Sequence, residues 1–316
     1  MIWVLYYFLV LEKLGYDDAI LKRLEEIAFS STTNVDLSSF NWIKQEYVEV
    51  EKGVLINVYM IKSSVTSNNS INVVVVPGLC SHFFGWLVTD YVLSRIGNVY
   101  HVESREKSSA IYQKKNISYT LDTFAKDLHA VVKKFNLEES GFYFVGDSFG
   151  AEMVIRYLYL GFPSPKGLIL ISPVKRFSFS LWMKILFLLV PHWFFQPFLP
   201  FIRFVLKNFR TDMKKDAITY YINRRNVETG NSKRMKGCAL ELSRYSSNVD
   251  YSKIKCPVYI IAASTDKMHD FNQSKEISSK ISNVKFEDVV FFAKTHMREV
   301  AEKMIEFIMA IEEQKD

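Results

Sequence analysis

The sequence predicts an α/β protein with a mostly parallel central sheet that helices flank. Short apolar runs recur along the chain, and segments with helical spacing alternate with them. The run INVVVVPG, residues 71–78, is apolar apart from Asn72 and shows no alternation, which is typical of a strand covered on both faces. Residues 175–255, in contrast, show no good strand pattern, and they predict a helical cap inserted between two strands of the sheet.

The other elements follow in chain order. Alternating apolar and polar residues around Glu51-Lys52-Gly53 predict a β-hairpin. Further strands are predicted for NVYHVES, FYFVG, GLILISP, PVYIIAA and KFEDVVFF, and helices for TLDTFAKDLHAVVKKFNL and for the segment from Met297. The chain thus divides into an N-terminal helical extension (1–40), a first core part (41–174), the helical cap or lid (175–255) and a second core part (256–316).

Composition argues against several classes of protein. The three cysteines are odd in number and far apart, so we expect neither a disulfide framework nor a zinc site, and a reducing, cytoplasmic compartment is favoured. Cys80 and His82 have no second pair that would complete a metal site, and no cofactor is predicted. The net charge of +6 is spread over scattered Lys and Arg, which gives little support to a nucleic-acid partner.

The first 14 residues, MIWVLYYFLVLEKL, are strongly apolar. Their apolar run is shorter than the about 20 residues that a spanning helix needs, and the features of a signal peptide are missing. Two alternatives stay open: a helix packed on the body of the protein, which we favour slightly, or a peripheral membrane anchor.

The stretch FYFVGDSFGAEMVIRY, residues 142–157, carries the clearest functional signal. A strand-like run breaks at Gly146 and helical spacing resumes at Gly150, which places Ser148 in a G-x-S-x-G turn between strand and helix. The glycines lack Cβ atoms, so strand and helix can approach closely, and the turn strains the backbone at Ser148. We predict a nucleophile elbow; the alternative is an ordinary tight turn.

A serine nucleophile needs a base that takes its proton and an acid that orients the base. Asp266 follows the strand PVYIIAA, and His296 follows the last strand, in the order Ser, Asp, His that this architecture requires. We therefore predict Ser148, Asp266 and His296 as the catalytic residues. Asp270 is the competing acid, and His269 is the competing base, ranked lower because it shares the Asp266 loop.

Two backbone N–H groups are expected to bind the oxyanion that forms during acyl transfer. One belongs to Phe149, directly after the nucleophile. The other is predicted at Leu79, in the loop that follows the strand INVVVVPG.

The motifs VVVVPGL, VGDSFG, AASTD and KTHM together resemble those of α/β-hydrolase serine enzymes, over residues 41–174 and 256–316. The resemblance implies the same triad and oxyanion donors, and a cap over the active site. The chain departs from the family pattern at four places. These are Pro77-Gly78 in place of the usual His-Gly, SREKSS (104–109) in place of a glycine-rich turn, Asp147 in place of a frequent His, and Thr295 in place of a Gly before His296.

The first part of the cap, residues 177–204, contains ten aromatic residues and no acidic ones. We expect it to form an apolar substrate pocket, since binding sites are lined mainly by such side chains. The candidate contacts are Trp182, Phe187, Trp193 and Phe194. The alternatives are that these residues pack the cap onto the core or contact a membrane surface.

The sequence therefore predicts a serine hydrolase, similar to carboxylesterases or monoacylglycerol lipases, that cleaves a small-molecule ester with an apolar acyl or alcohol group. Thioester hydrolysis, acyl transfer, and amide or carbon–carbon hydrolysis use the same triad and stay open. Epoxide hydrolases are disfavoured, because the resemblance implies Asp as their nucleophile. A non-catalytic ligand-binding protein and a membrane-associated scaffold are the alternatives outside catalysis.

Overall fold

A computed structural model of the chain describes residues 17–30, 32, 35–63, 71–177, 189–211, 213–214, 216–266 and 269–315. Residues 1–14 and the candidate pocket residues Trp182 and Phe187 lie outside these ranges. The predictions made for them stay predictions.

Nine strands form one mixed sheet in the part of the chain that the structure describes. They are β1 (Ile43–Glu51), β2 (Val54–Ile61), β3 (Ile71–Val76), β4 (Gly97–Glu103), β5 (Ile111–Tyr112), β6 (Tyr143–Asp147), β7 (Gly167–Ile171), β8 (Val258–Ala262) and β9 (Val284–Asp288). The order across the sheet is β1-β2-β4-β3-β6-β7-β8-β9, and β5 pairs with β2. Strands β1, β4 and β5 pair antiparallel with β2, and every pair from β4 onward to β9 is parallel, which confirms the predicted sheet.

Helices cover both faces of this sheet. In chain order they are α1 (Asp18–Ala28), α2 (Leu87–Leu93), α3 (Leu121–Lys134), α4 (Leu137–Ser140), α5 (Phe149–Tyr159), α6 (Phe195–Val205), α7 (Ala217–Thr229), α8 (Ser232–Arg244), α9 (Phe271–Ser278) and α10 (Arg298–Glu312). No helix in the described ranges is long and apolar enough to cross a bilayer.

Strand β3 shows why the sheet needs two helical layers. Successive side chains of a strand point to opposite faces. Val74 and Val76 lie in one apolar cluster with residues of α3 and α5, whereas Val73 and Val75 lie in a second cluster with residues of α1, α2 and α10. Both sets are fully buried, so the uninterrupted apolar run corresponds to a strand covered on both sides.

The described part of the segment between β7 and β8 contains the helices α6, α7 and α8, and its β pairing there is limited to an isolated bridge between Arg176 and Ser246. Arg225 of α7 holds this segment to the N-terminal helix. Its guanidinium is fully buried and donates hydrogen bonds to carbonyl oxygens at the end of α1, 2.9 Å to both Ile27 and Ala28. The negative end of a helix stabilises a cation there, and the contact fixes α7 beside the cavity described below.

Candidate active site

Ser148 lies at the turn between β6 and α5, with φ 51° and ψ −109°. Residues other than glycine rarely adopt a positive φ, so the backbone at Ser148 is strained. The neighbouring glycines allow the turn. A Cβ added to Gly150 would lie 2.0 Å from the Val76 carbonyl oxygen, and one added to Gly146 would lie 2.8 Å from the Ala151 Cα. The strand and helix are therefore as close as the elbow pattern predicts.

The hydroxyl of Ser148 contacts the ring of His269. Ser148 Oγ lies 2.6 Å from His269 Nε2, and His269 Nδ1 lies 2.6 Å from Asp266 Oδ2. If Nδ1–H donates to the carboxylate, Nε2 accepts the hydrogen bond from the serine, which is the tautomer that general-base catalysis needs. The three side chains thus form a continuous chain of hydrogen bonds from acid to nucleophile.

Asp266 also sets the basicity of His269. Burial by itself would lower the pKa of this imidazole, but the hydrogen bond and charge of Asp266 outweigh it and raise the pKa above its usual 6.5. Asp147 contributes in the same direction. The ring is therefore a stronger base than a free imidazole.

The two predicted oxyanion donors, Leu79 and Phe149, lie close to the nucleophile. Phe149 is the first residue of α5, where backbone N–H groups have no carbonyl within their own helix. Gly78 and Leu79 line the same cavity as Ser148, and a Cβ on Gly78 would lie 3.5 Å from the Ser148 Cβ. This arrangement supports Leu79 and Phe149 as donors.

A cavity of about 220 Å³ opens above Ser148. Its apolar lining comes from Leu79, Val174, Phe177, Ile222 and Leu242, and its polar lining includes Arg176, Asn223, Asn226, Asp270 and Gln273. Within the described ranges, no group of three or more His, Cys, Asp or Glu side chains could hold a metal ion.

A comparison with known families identifies the family to which the chain belongs. Residues 109–297 match the family described as serine aminopeptidase, S33, over more than half of the chain. The chain belongs to this S33 hydrolase family. It has the α/β-hydrolase fold, as the sequence motifs predicted. No curated protein matches the sequence significantly.

Solved structures show how widely this S33 hydrolase shares its fold. An esterase from Exiguobacterium antarcticum is 14% identical, covers 84% of this chain and 100% of its own, and superposes with a TM-score of 0.67. An enol-lactonase from Burkholderia xenovorans LB400 is also 14% identical, over 84% and 100% of the two chains, at 0.65. The epoxide hydrolase CorEH is 14% identical, over 85% and 99%, at 0.63. At such identities the likeness concerns the fold alone.

The structure corrects the predicted base of the S33 hydrolase. His296 lines the cavity, but its Nδ1 lies 2.8 Å from the Thr295 hydroxyl, and its ring stands edge-on to Trp86 with centroids 4.6 Å apart. Burial, with a smaller contribution from Arg225, lowers its pKa to about 3, so the ring is neutral and a poor base. The ring that reaches Ser148 is that of His269.

Two candidate substrate contacts, Trp193 and Phe194, do not lie in the cavity as expected. Trp193 and Phe194 are not among the cavity-lining residues, and they are 64% and 37% exposed. Phe198, Phe201 and Phe204 of the helix that follows are exposed as well. Asp270, the competing acid, borders the cavity but accepts a hydrogen bond from the Asn272 N–H and caps α9.

Asp147 is the residue beside the nucleophile for which the sequence suggested no role. It is buried, and its carboxylate faces the backbone N–H of Gly78 in the oxyanion loop. Burial raises its pKa to about 6, while nearby His269 and the Gly78 N–H act in the opposite direction. Asp147 therefore connects the nucleophile strand to the loop that carries Leu79.

Proposed function

We propose that the chain hydrolyses carboxylic esters through an acyl-enzyme formed on Ser148. The observation that carries this proposal is the hydrogen-bonded series Ser148, His269 and Asp266, with 2.6 Å at each step, on a strained elbow. No such series is needed for a protein that only binds a ligand, so the geometry favours a catalyst over a binding module.

The proposed reaction has two halves. His269 takes the proton of Ser148 as the hydroxyl attacks the ester carbonyl, and the negative oxygen is held by the N–H groups of Leu79 and Phe149. The alcohol leaves with the proton from His269. Water then attacks the acyl-enzyme, again with His269 as base, and the acid is released. Asp266 stays ionised throughout and stabilises the imidazolium.

The cavity suggests an ester with a small apolar group. At about 220 Å³ it is smaller than the roughly 300–1,000 Å³ of drug-sized pockets. Ile222, Leu242 and Phe177 offer apolar contacts near Ser148, whereas Asn223 and Asn226 offer amide groups from one face of α7. We propose a short acyl chain against the apolar side.

The test is turnover of p-nitrophenyl esters from acetyl to lauroyl, compared with amino-acid p-nitroanilides, together with labelling by a fluorophosphonate. We expect covalent labelling of the wild type, none of Ser148→Ala, and fastest turnover for short acyl esters. Faster cleavage of the anilides would favour amide hydrolysis, the second activity that this triad allows. Equal labelling of Ser148→Ala would refute the assignment.

We also propose that the insertion contacts the surface of an anionic membrane. Its exposed aromatic surface comprises Trp193 (64% exposed), Phe198 (40%), Phe201 (57%), Phe204 (55%) and Phe209 (65%). Residues 189–211 include no acidic residue, and Lys207 is exposed among the aromatic side chains. Aromatic rings with cations nearby favour the interface of anionic lipids.

Vesicle flotation tests the membrane proposal. We expect the wild type to float with vesicles that contain phosphatidylglycerol and less with pure phosphatidylcholine. Trp193→Ala combined with Phe201→Ala should reduce binding about tenfold, because two interfacial side chains are lost. Tyr47→Ala, at a side chain 41% exposed on β1, is the matched control and should float like the wild type. Wild-type protein that stays at the bottom of the gradient would end the proposal.

A further inference from the structure

Three of the departures from the family pattern meet at the oxyanion loop. Lys107, from the turn SREKSS, donates a hydrogen bond of 2.6 Å from Nζ to the carbonyl oxygen of Gly78. Glu106 Oε1 lies 3.2 Å from that Nζ and accepts a hydrogen bond of 3.4 Å from the Cys80 N–H. Both charged side chains are buried, and Asp147 faces the Gly78 N–H from the other side.

The turn that supplies these residues is itself held firmly. Arg105 makes two hydrogen bonds of 2.6 Å to Asp127 of α3, a bidentate pair with well-defined geometry. Arg234 of α8 donates to the carbonyl oxygens of Lys107 and Ala110. Lys107 therefore extends from a fixed backbone, and its ammonium group has a defined position.

The hydrogen bond from Lys107 to the Gly78 carbonyl oxygen also affects the orientation of the next N–H group. In a trans peptide, the C=O of one residue and the N–H of the next point in opposite directions. When Lys107 holds the Gly78 C=O, the Leu79 N–H of the same peptide unit points away from Lys107. Leu79 lines the cavity with Ser148. We therefore infer that this N–H faces the side where the substrate carbonyl would lie.

We propose that Lys107 is the positioning residue of the oxyanion hole, with Glu106 holding its ammonium group in place. The inference rests on the proposed acyl transfer at Ser148. Charge at the carbonyl end also polarises the peptide unit, which strengthens the Leu79 N–H as a donor. Asp147 faces the Gly78 N–H, which belongs to the preceding peptide unit.

The test is the rate of fluorophosphonate labelling of Ser148, because the phosphonyl oxygen occupies the oxyanion hole during the reaction. We expect Lys107→Met to label roughly 10- to 100-fold more slowly, less than the 10²- to 10³-fold seen when a donor itself is removed. Ester turnover should fall in kcat with KM nearly unchanged, since the donor acts on the transition state. Lys107→Arg, which keeps the charge, should recover most of the rate.

Lys133→Met, at an exposed position on α3, is the matched control and should label at the wild-type rate. If Lys107→Met does not fold, Glu106→Gln replaces it, since that side chain keeps its shape and loses the charge that holds Lys107. A folded Lys107→Met or Glu106→Gln that labels like the wild type overturns this inference alone. A wild type that does not label at Ser148 overturns the proposed function, and the inference falls with it.

Discussion

Replacing His269 with Asn is expected to lower ester turnover by about 10³-fold or more, whereas His296→Asn should change kcat less than tenfold. His269 Nε2 lies 2.6 Å from the nucleophile, and its loss removes the base for both halves of the reaction. His296 is a neutral, buried ring against Trp86, so its removal affects packing and the shape of the cavity more than proton transfer. The measurement is kcat and KM for a short p-nitrophenyl ester, with thermal melting as the check on folding.

The pH profile gives an independent measure of the same assignment. The base must be neutral to accept the serine proton, so kcat/KM should rise with pH through the pKa of His269, which Asp266 raises above 6.5. Asp266→Asn should move that midpoint to lower pH and lower the plateau, because the charge that favours imidazolium is gone. A profile that stays flat down to about pH 4, with activity lost only in His296→Asn, would show that His296 is the base after all.

Much of the fold could be predicted because burial leaves a direct mark on sequence. The side chains of Val73 to Val76 alternate between the two faces of the sheet, and an unbroken apolar run is typical of a strand that is covered on both faces. The elbow could also be predicted, because Gly146 and Gly150 are needed where the backbones of strand and helix nearly touch. The strand and the elbow are each encoded by residues that are adjacent in the sequence, so the sequence is enough to predict them.

The choice between the two histidines could not be made in the same way. Both follow Asp266 in the chain, so the order Ser, Asp, His fits either of them. The structure decides between them, because the His269 N–H lies 3.4 Å from the Asp266 carboxylate and the His269 ring contacts Ser148. A signal did exist, since an acid and a base three residues apart can pair within one loop.

The roles of Lys107 and Asp147 were also out of reach, for a different reason. Each contacts Gly78, which lies far from both along the chain. In the sequence, these charged residues are only departures from the family pattern. Their proposed roles depend on contacts between three segments that are far apart along the chain. The aromatic residues of the insertion pose the same difficulty, because composition does not tell which side of a helix faces solvent.

Gly150→Ala is expected to abolish turnover and to reduce the yield of folded protein. The added Cβ would lie 2.0 Å from the Val76 carbonyl oxygen and 2.8 Å from that of Pro77. These are backbone atoms, so no side-chain rotation relieves the overlap. Helix α5 and the end of β3 must separate, and the chain from Pro77 to Leu79 moves with β3. We expect at least about 10²-fold loss of kcat/KM in any folded fraction, since an oxyanion donor is displaced.

Gly161→Ala is the matched control, because it adds the same methyl group at a position with no heavy atom within 4 Å. Its φ of 76° makes alanine cost about 1 kcal/mol, so a small decrease in melting temperature is expected with full activity. Melting curves and fluorophosphonate labelling of both variants separate the two effects. If Gly150→Ala labels as fast as Gly161→Ala, the close approach of α5 and β3 does not position the oxyanion loop. Because the elbow contacts that loop, one added methyl group at Gly150 is expected to affect catalysis as well as folding.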